Sequence, residues 1–240
     1  MTDHISRKEL KQDKIKETLE HGAEAVYSHS QTTLAVLVVI LVIVSGYGGW
    51  RIYHDRKTAE ASRAFDDAKK AFDGRIGPAI DPGDTSELSY ADETARSQDA
   101  LIKFSAVADK YSSTTPGKQA RYYAALCLEN LDRQNQALEE LKKISGGDDK
   151  ELASMAQYQM AVLDSRTGKT DDAVKIYRAL ADKPSIFVPR SLALLELAGV
   201  LRHSNPPEAI TVYKQIKTEF PDTAISEEAE RGLETVTPKS

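Results

Sequence analysis

Five histidines, one cysteine, a glycine cluster and the aspartate pairs Asp148-Asp149 and Asp171-Asp172 are the residues here whose types could do chemistry. Metal binding needs His, Cys or carboxylates repeated at short spacings. His4, His21, His29, His54 and His203 are scattered, and none stands at ligand spacing from another or from Cys127. Thiol catalysis needs a base beside the sulfur. Cys127 instead sits between Leu126 and Leu128 in a helical pattern, which reads as a small packed side chain. Gly46-x-Gly48-Gly49 has some of the glycine spacing of a dinucleotide loop, but it lies in an apolar run with no strand before it and no acid suitably placed after it. Asp148-Asp149 and Asp171-Asp172 read as charges at helix N-termini, where the macrodipole favours them. No catalytic residue, cofactor site or metal site is expected, an enzyme is the disfavoured class, and no small-molecule substrate is implied.

The bulk numbers narrow the classes further. The chain has 240 residues, enough for one or two domains. A formal net charge of −5 and a pI near 5.6 argue against nucleic acid as a partner, because such proteins carry a basic face. A single cysteine permits no internal disulfide.

The elements that must position any function begin with "LAVLVVILVIVSGYGGW", residues 34–50, which carries no charge in a chain that is 29% charged. Eleven aliphatic residues run from Leu34 to Val44. With Gln31, Thr32, Thr33 and the residues up to Trp50 they make about 20 uncharged positions, roughly 30 Å of helix and the thickness of a bilayer's hydrocarbon core. Seven of the eleven are β-branched, a strand preference in water, yet an unalternated strand of that length is implausible and lipid enforces a helix. Tyr47, Trp50 and Tyr53 would sit at one interface with Arg51, Arg56 and Lys57 beyond it. A buried core helix and a cleaved signal peptide are the competing readings. The second would need an n-region over 30 residues long and a small-residue cleavage site that the sequence lacks. The expectation is an uncleaved anchor over residues 31–50, with Leu34, Val44 and Trp50 marking it. Ser45 and Gly49 form a small-xxx-small pair suited to packing on another membrane helix.

Ahead of the anchor, residues 1–30 read as a charged amphipathic segment, with a helix over 5–27 carrying Ile15, Leu19, Ala23 and Val26 on one face. Lys11, Lys14 and Lys16 precede the anchor, while Arg51, Arg56, Lys57, Arg63, Lys69 and Lys70 follow it. That bias mildly favours a cytoplasmic C-terminal side, although the rule weakens for a long following domain.

Beyond the anchor, four stretches align on an alanine: Ala100, Ala137, Ala173 and Ala209, separated by 37, 36 and 36 residues. Four residues after each stand Phe104, Leu141, Tyr177 and Tyr213, and three further on Val107, Ile144, Leu180 and Ile216. Each copy occupies the second helix of a pair. The first helices are "GKQARYYAALCLENL", "ELASMAQYQMAVLDSR" and "PRSLALLELAGVLRH", with Ala125, Ala161 and Ala198 as small contact residues. Thr115-Pro116, Gly146-Gly147, Thr167-Gly168, Asn205-Pro206-Pro207 and Pro221 separate the elements, and Asn205 is placed to cap a helix beginning at Pro206. No single pair buries its apolar face, so the copies must stack. Residues 51–92 read as a membrane-proximal helix to about Asp73, pairing with residues 93–112, and then a long loop over 74–91. Residues 93–240 read as the repeat domain, with 222–235 a capping helix.

"AQYQMAVLDSRTGKTDDAVKIYRAL" resembles a tetratricopeptide repeat through Met160-Ala161, Gly168, Ala173, Tyr177 and Leu180, with Gln157 in place of the usual tryptophan. The second copy matches at Ala125, Ala137 and Leu141, and the last at Leu197-Ala198, Ala209, Tyr213 and Pro221. The resemblance implies an all-α protein: one N-terminal transmembrane helix, then a tetratricopeptide α-solenoid with a C-terminal capping helix. It also implies a protein-binding groove lined by first helices at Tyr122, Leu126 and Glu129, at Met155, Tyr158, Val162 and Arg166, and at Leu195, Arg202 and His203. Tyr122 and Tyr158 are equally readable as interhelix packing, and Leu126 and Leu195 read as core more than groove.

The whole arrangement, with Gly49-Trp50-Arg51-Ile52-Tyr53 after the anchor and "EASRAFDDAKKAF" as a first helix, resembles the ancillary SecYEG translocon subunit family of bacteria. That resemblance implies a single-pass protein of the bacterial inner membrane with a periplasmic repeat domain. Its partners would be translocon subunits, chaperones or exported client chains, with lipid around the anchor. A scaffold for envelope assembly, in outer-membrane insertion or division-linked wall synthesis, is the alternative, because the Ala100 and Ala209 copies also resemble repeats of those systems.

Overall fold

The computed structural model describes residues 30–78 and 88–236. The helix expected over 5–27 and the middle of the 74–91 loop lie outside the described residues. The helices are α1 Ser30–Phe72, α2 Glu93–Lys110, α3 Thr115–Asn130, α4 Gln134–Ser145, α5 Lys150–Arg166, α6 Thr170–Asp182, α7 Arg190–Ser204, α8 Pro206–Glu219 and α9 Ala224–Val236. The chain divides into two compact units, up to Arg56 and from Lys57 onward.

In the first unit, every large aliphatic side chain from Leu34 to Val44 is at least half exposed, and Trp50 is 61% exposed. The helix is long and apolar enough to cross a membrane, and none of the described residues covers its apolar stretch. That removes the buried-core reading. Tyr47, Trp50 and His54 follow one another along the helix, with ring centroids 6.1 and 5.5 Å apart.

In the second unit, consecutive helices pack as antiparallel neighbours from α2 to α9. The aligned alanines show why. Ala100, Ala137, Ala173 and Ala209 are all fully buried, and so, to within a few per cent, are the side chains four and seven residues later. A residue without side-chain bulk lets two backbones approach, and the larger neighbours one and two turns on fill the flanks. Ala125, Ala161 and Ala198 play the same part on the first helices. The stack has three core layers. In the first, Ala61, Ala68 and Ala71 of α1 meet α2 and α3 around four rings. Phe104 stacks on Tyr123 at 5.1 Å, and Phe65 and Phe72 meet Tyr123 edge-on. The second layer joins α3, α4 and α5, and the third runs from α5 to α9.

Local chemistry sets the boundaries. Asp92, Thr114 and Asp149 each accept a backbone N–H three residues on, opening α2, α3 and α5. Asn205 stands at the start of α8 but does not cap it through its side chain; its Nδ2 donates to Glu208 Oε2 at 2.9 Å. The Glu208 N–H, three residues on, donates to the Asn205 backbone carbonyl at 3.1 Å instead of to its side chain. Gly168 ends α5 with a φ of +80°, a left-handed conformation that glycine adopts without strain. Gly117 is required by proximity: a Cβ there would stand 1.9 Å from the Tyr111 carbonyl oxygen.

One element departs from the all-helical expectation. Within the loop after α1, β1 (Arg75–Ile76) pairs in parallel with β2 (Ser89–Tyr90). Tyr90 fastens this ladder, with its ring against Gly74 and its hydroxyl donating to Asp99 Oδ2 at 2.5 Å. Two residues per strand give no periodicity to read, and tertiary contacts alone hold them extended.

Candidate functional site

The first helices α3, α5 and α7 carry the expected groove residues. The first helices α3 and α5 touch, and α7 meets the capping helix α9. A ladder of polar contacts runs across the first helices. Glu129 of α3 accepts from both Gln159 and Arg166 of α5. Tyr158 of α5 donates to Glu196 Oε1 of α7 at 3.0 Å. Glu129 is largely buried while Arg166 remains 62% exposed, so the arginine is the member that a ligand can recruit.

The two tyrosines left open by the sequence both pack against the core. Tyr122 is half-buried against the second core layer, and desolvation pushes its phenol up to about 12. Tyr158 packs on the third layer with its ring 5.9 Å from Tyr177, and burial and then Glu196 raise its phenol further. Both stay protonated at neutral pH; Tyr158 donates to Glu196, and each ring adds an apolar face. Met155 and Val162 pack partly buried on the same layer. Leu126 and Leu195 are half-buried rather than core, because their faces meet the open side of α3 and α7.

Arg202 and Leu195 belong to a cleft of about 400 Å³ between α7, α8 and α9, with Glu196, Gly199, Tyr213, Glu228, Arg231, Gly232 and Thr235. Arg202 Nε is buried and has no hydrogen-bond partner among the described residues, while its Nη2 lies 3.3 Å from His203 Nε2. A buried donor left unpaired costs on the order of 1–3 kcal/mol, and a carbonyl or carboxylate entering the cleft would satisfy it. Burial raises the Tyr213 phenol, partly offset by Arg202. Glu196, Gln159 and Arg231 were missed by sequence reasoning. The signal for the first two was there: both stand two residues before the small residue of their helix, Ala198 and Ala161, next to the groove register. Arg231 comes from the capping helix, outside the repeat, and has no such register.

Among the described residues no three His, Cys, Asp or Glu side chains gather as metal ligands. Cys127 is fully buried, and desolvation drives its thiol up to about 12, which suits a packed residue and not a nucleophile.

Stacked antiparallel helix pairs, with an aromatic and ionic ladder along one side, define a helical-repeat scaffold for protein–protein interaction. The chain belongs to the tetratricopeptide repeat-like domain family, whose model matches residues 27–187. Two solved structures of a Podosopora anserina kinesin light chain with nearly identical TPR-like repeats share the fold. One, a form with a single substitution, is 12% identical over 75% of this chain and 85% of that one, with a TM-score of 0.54. The other is 13% identical over 75% and 86%, with a TM-score of 0.53. No curated protein sequence matches the chain.

Proposed function

We propose that this is a single-pass inner-membrane protein of bacteria whose repeat domain, outside the cytoplasm, holds translocating chains or chaperones beside the Sec translocon. One observation carries the reading: the family match begins at residue 27, so the uncovered apolar helix and the repeats belong to one family unit. Leu34, Val44 and Trp50 are the lipid-facing side chains of that anchor. Tyr122, Glu129, Met155, Tyr158, Arg166 and Arg202 form the protein-binding surface. Half-buried aromatic faces, a recruitable arginine and an unpaired Arg202 Nε suit extended chains that offer apolar side chains and backbone carbonyls. Tethering raises the local concentration of the domain, so contacts that are individually weak are sufficient.

The test is photocrosslinking in native membranes from full-length protein carrying the crosslinker at Tyr158 or Arg202. Adducts with translocon subunits, chaperones or nascent exported chains are expected. Adducts confined to outer-membrane insertion or wall-synthesis machinery would transfer the scaffold to envelope assembly. Release of the chain from vesicles by alkaline carbonate would remove the anchor.

A further inference from the structure

Two glycines open the cleft between α7, α8 and α9. The first helices α3 and α5 carry an aliphatic side chain one position after their small contact residue, Leu126 after Ala125 and Val162 after Ala161, but α7 carries Gly199 after Ala198. A Cβ at Gly199 would meet nothing within 4 Å, so this position leaves open space in the cleft of about 400 Å³. On α9, Gly232 makes room for the tip of Tyr213 from α8. A Cβ there would stand 2.4 Å from the ring Cζ and 2.9 Å from the hydroxyl oxygen. Leu195 supplies an apolar wall.

The polar groups of this cleft are unequally engaged. Glu228 pairs with Arg231 on α9, and Glu196 accepts from Tyr158 of α5 at 3.0 Å. Thr235 Oγ1 donates to Gly232 O at 2.7 Å. Arg202 forms no ion pair among the described residues: its Nε is buried without a partner, and its Nη2 lies 3.3 Å from His203 Nε2. The Tyr213 hydroxyl, on a side chain only 3% exposed, makes no hydrogen bond among the described residues. The two arginines and two glutamates of the cleft cancel formally. Both glutamates are nevertheless engaged by other residues, and Arg202 is the cation left without an anion.

We infer that this cleft takes a carboxylate of the bound client chain, with the Arg202 Nε–H and the Tyr213 hydroxyl as its donors. A backbone carbonyl would satisfy one donor. A carboxylate brings two acceptor oxygens and the negative charge that Arg202 lacks, and such charge-assisted bonds are the stronger kind. Its aliphatic stem lies along Leu195 in the space that Gly199 leaves. Glu196 and Glu228 confine the anion to the Arg202 side, since like charges brought together are costly. An acidic side chain and a chain end both present this chemistry. The inference deepens the client-binding reading above and rests on it.

Full-length protein in nanodiscs tests it by fluorescence anisotropy with three labelled peptides of leucine, serine and glycine. One is blocked at both ends and carries a central glutamate, the second has glutamine in its place, and the third is the glutamine peptide with a free C-terminal carboxylate. A carboxylate peptide should bind about tenfold more tightly than the neutral one, the factor of a charge-assisted hydrogen bond. Preference for the first peptide assigns the site to an acidic side chain, and preference for the third assigns it to a chain end. Arg202→Gln should abolish the preference. Gly199→Leu, which fills the hollow and changes no charge, should abolish it as well. Equal binding of all three peptides overturns this inference and leaves client binding standing. A preference that survives both substitutions places the carboxylate elsewhere and also overturns it. Binding of none of the three removes the client-binding reading together with this one.

Discussion

The hydroxyl of Tyr158 on α5 lies 3.0 Å from Glu196 Oε1 on α7, a bond between the first helices of successive pairs. Together with Glu129, which Gln159 and Arg166 reach from α5, it joins three first helices through polar atoms. A repeat protein gains stability from nearest-neighbour interfaces, so such cross-pair bonds couple copies that otherwise touch mainly through apolar side chains.

Tyr158→Phe keeps the ring against Tyr177 and deletes only the donor to Glu196. A loss of about 1 kcal/mol in urea unfolding is expected. Binding of an unfolded client should survive it. Tyr158→Ala should abolish client protection in an aggregation assay at concentrations where the variant remains folded by circular dichroism.

Glycine replacements separate close approach from mere turn placement. Gly117→Ala puts a methyl carbon 1.9 Å from the Tyr111 carbonyl oxygen and should cost about 3 kcal/mol, since backbone must move. Gly146→Ala meets no atom within 4 Å and should change the unfolding midpoint little. Equal losses at the two positions would contradict the packing described for the α2–α3 turn.

Cys127 should resist maleimide in the folded protein and react once urea unfolds it. Burial lifts its thiol from 9.0 to about 12, so the unfolded chain releases this proton at lower pH than the folded one. Stability contributed by the neutral thiol is therefore lost as pH rises through that window. Cys127→Ala should flatten the alkaline limb of the stability curve.

Glu140 gives the opposite limb. Burial alone would raise its carboxyl, but bonds from Lys143 and Arg121 hold it below 4.5. Its contribution is present above 4.5 and is lost as pH falls through the lower folded value. Glu140→Gln should be less stable near neutrality and lose less on acidification, as read by denaturant midpoints across an acid series.

Much of this was legible in order along the chain. The aligned alanines and their partners four and seven residues on are all buried, because helical periodicity and side-chain size together specify which face packs and how closely. The apolar run was legible for the same reason, since length and composition alone decide whether a helix can cross lipid. The side-chain cap expected at Asn205 does not form, because its amide donates to the Glu208 carboxylate and the Glu208 N–H goes to the Asn205 backbone carbonyl. The ladder of Arg75–Ile76 on Ser89–Tyr90 was not readable, since its extended form depends on Tyr90 reaching Asp99 and Gly74.

The sequence by itself determined the repeat: its period, its small contact residues, its breaks and the membrane-length helix before it. These are properties of neighbours along the chain, and short-range sterics and burial suffice to set them. The tertiary structure alone decided which polar atoms meet. Glu129 with Arg166, Tyr158 with Glu196 and the unpaired Nε of Arg202 join residues about 30 or more positions apart or depend on what lies across from them. Such pairings follow from how one helix pair is set on the next, and the chain does not encode that angle in any single copy.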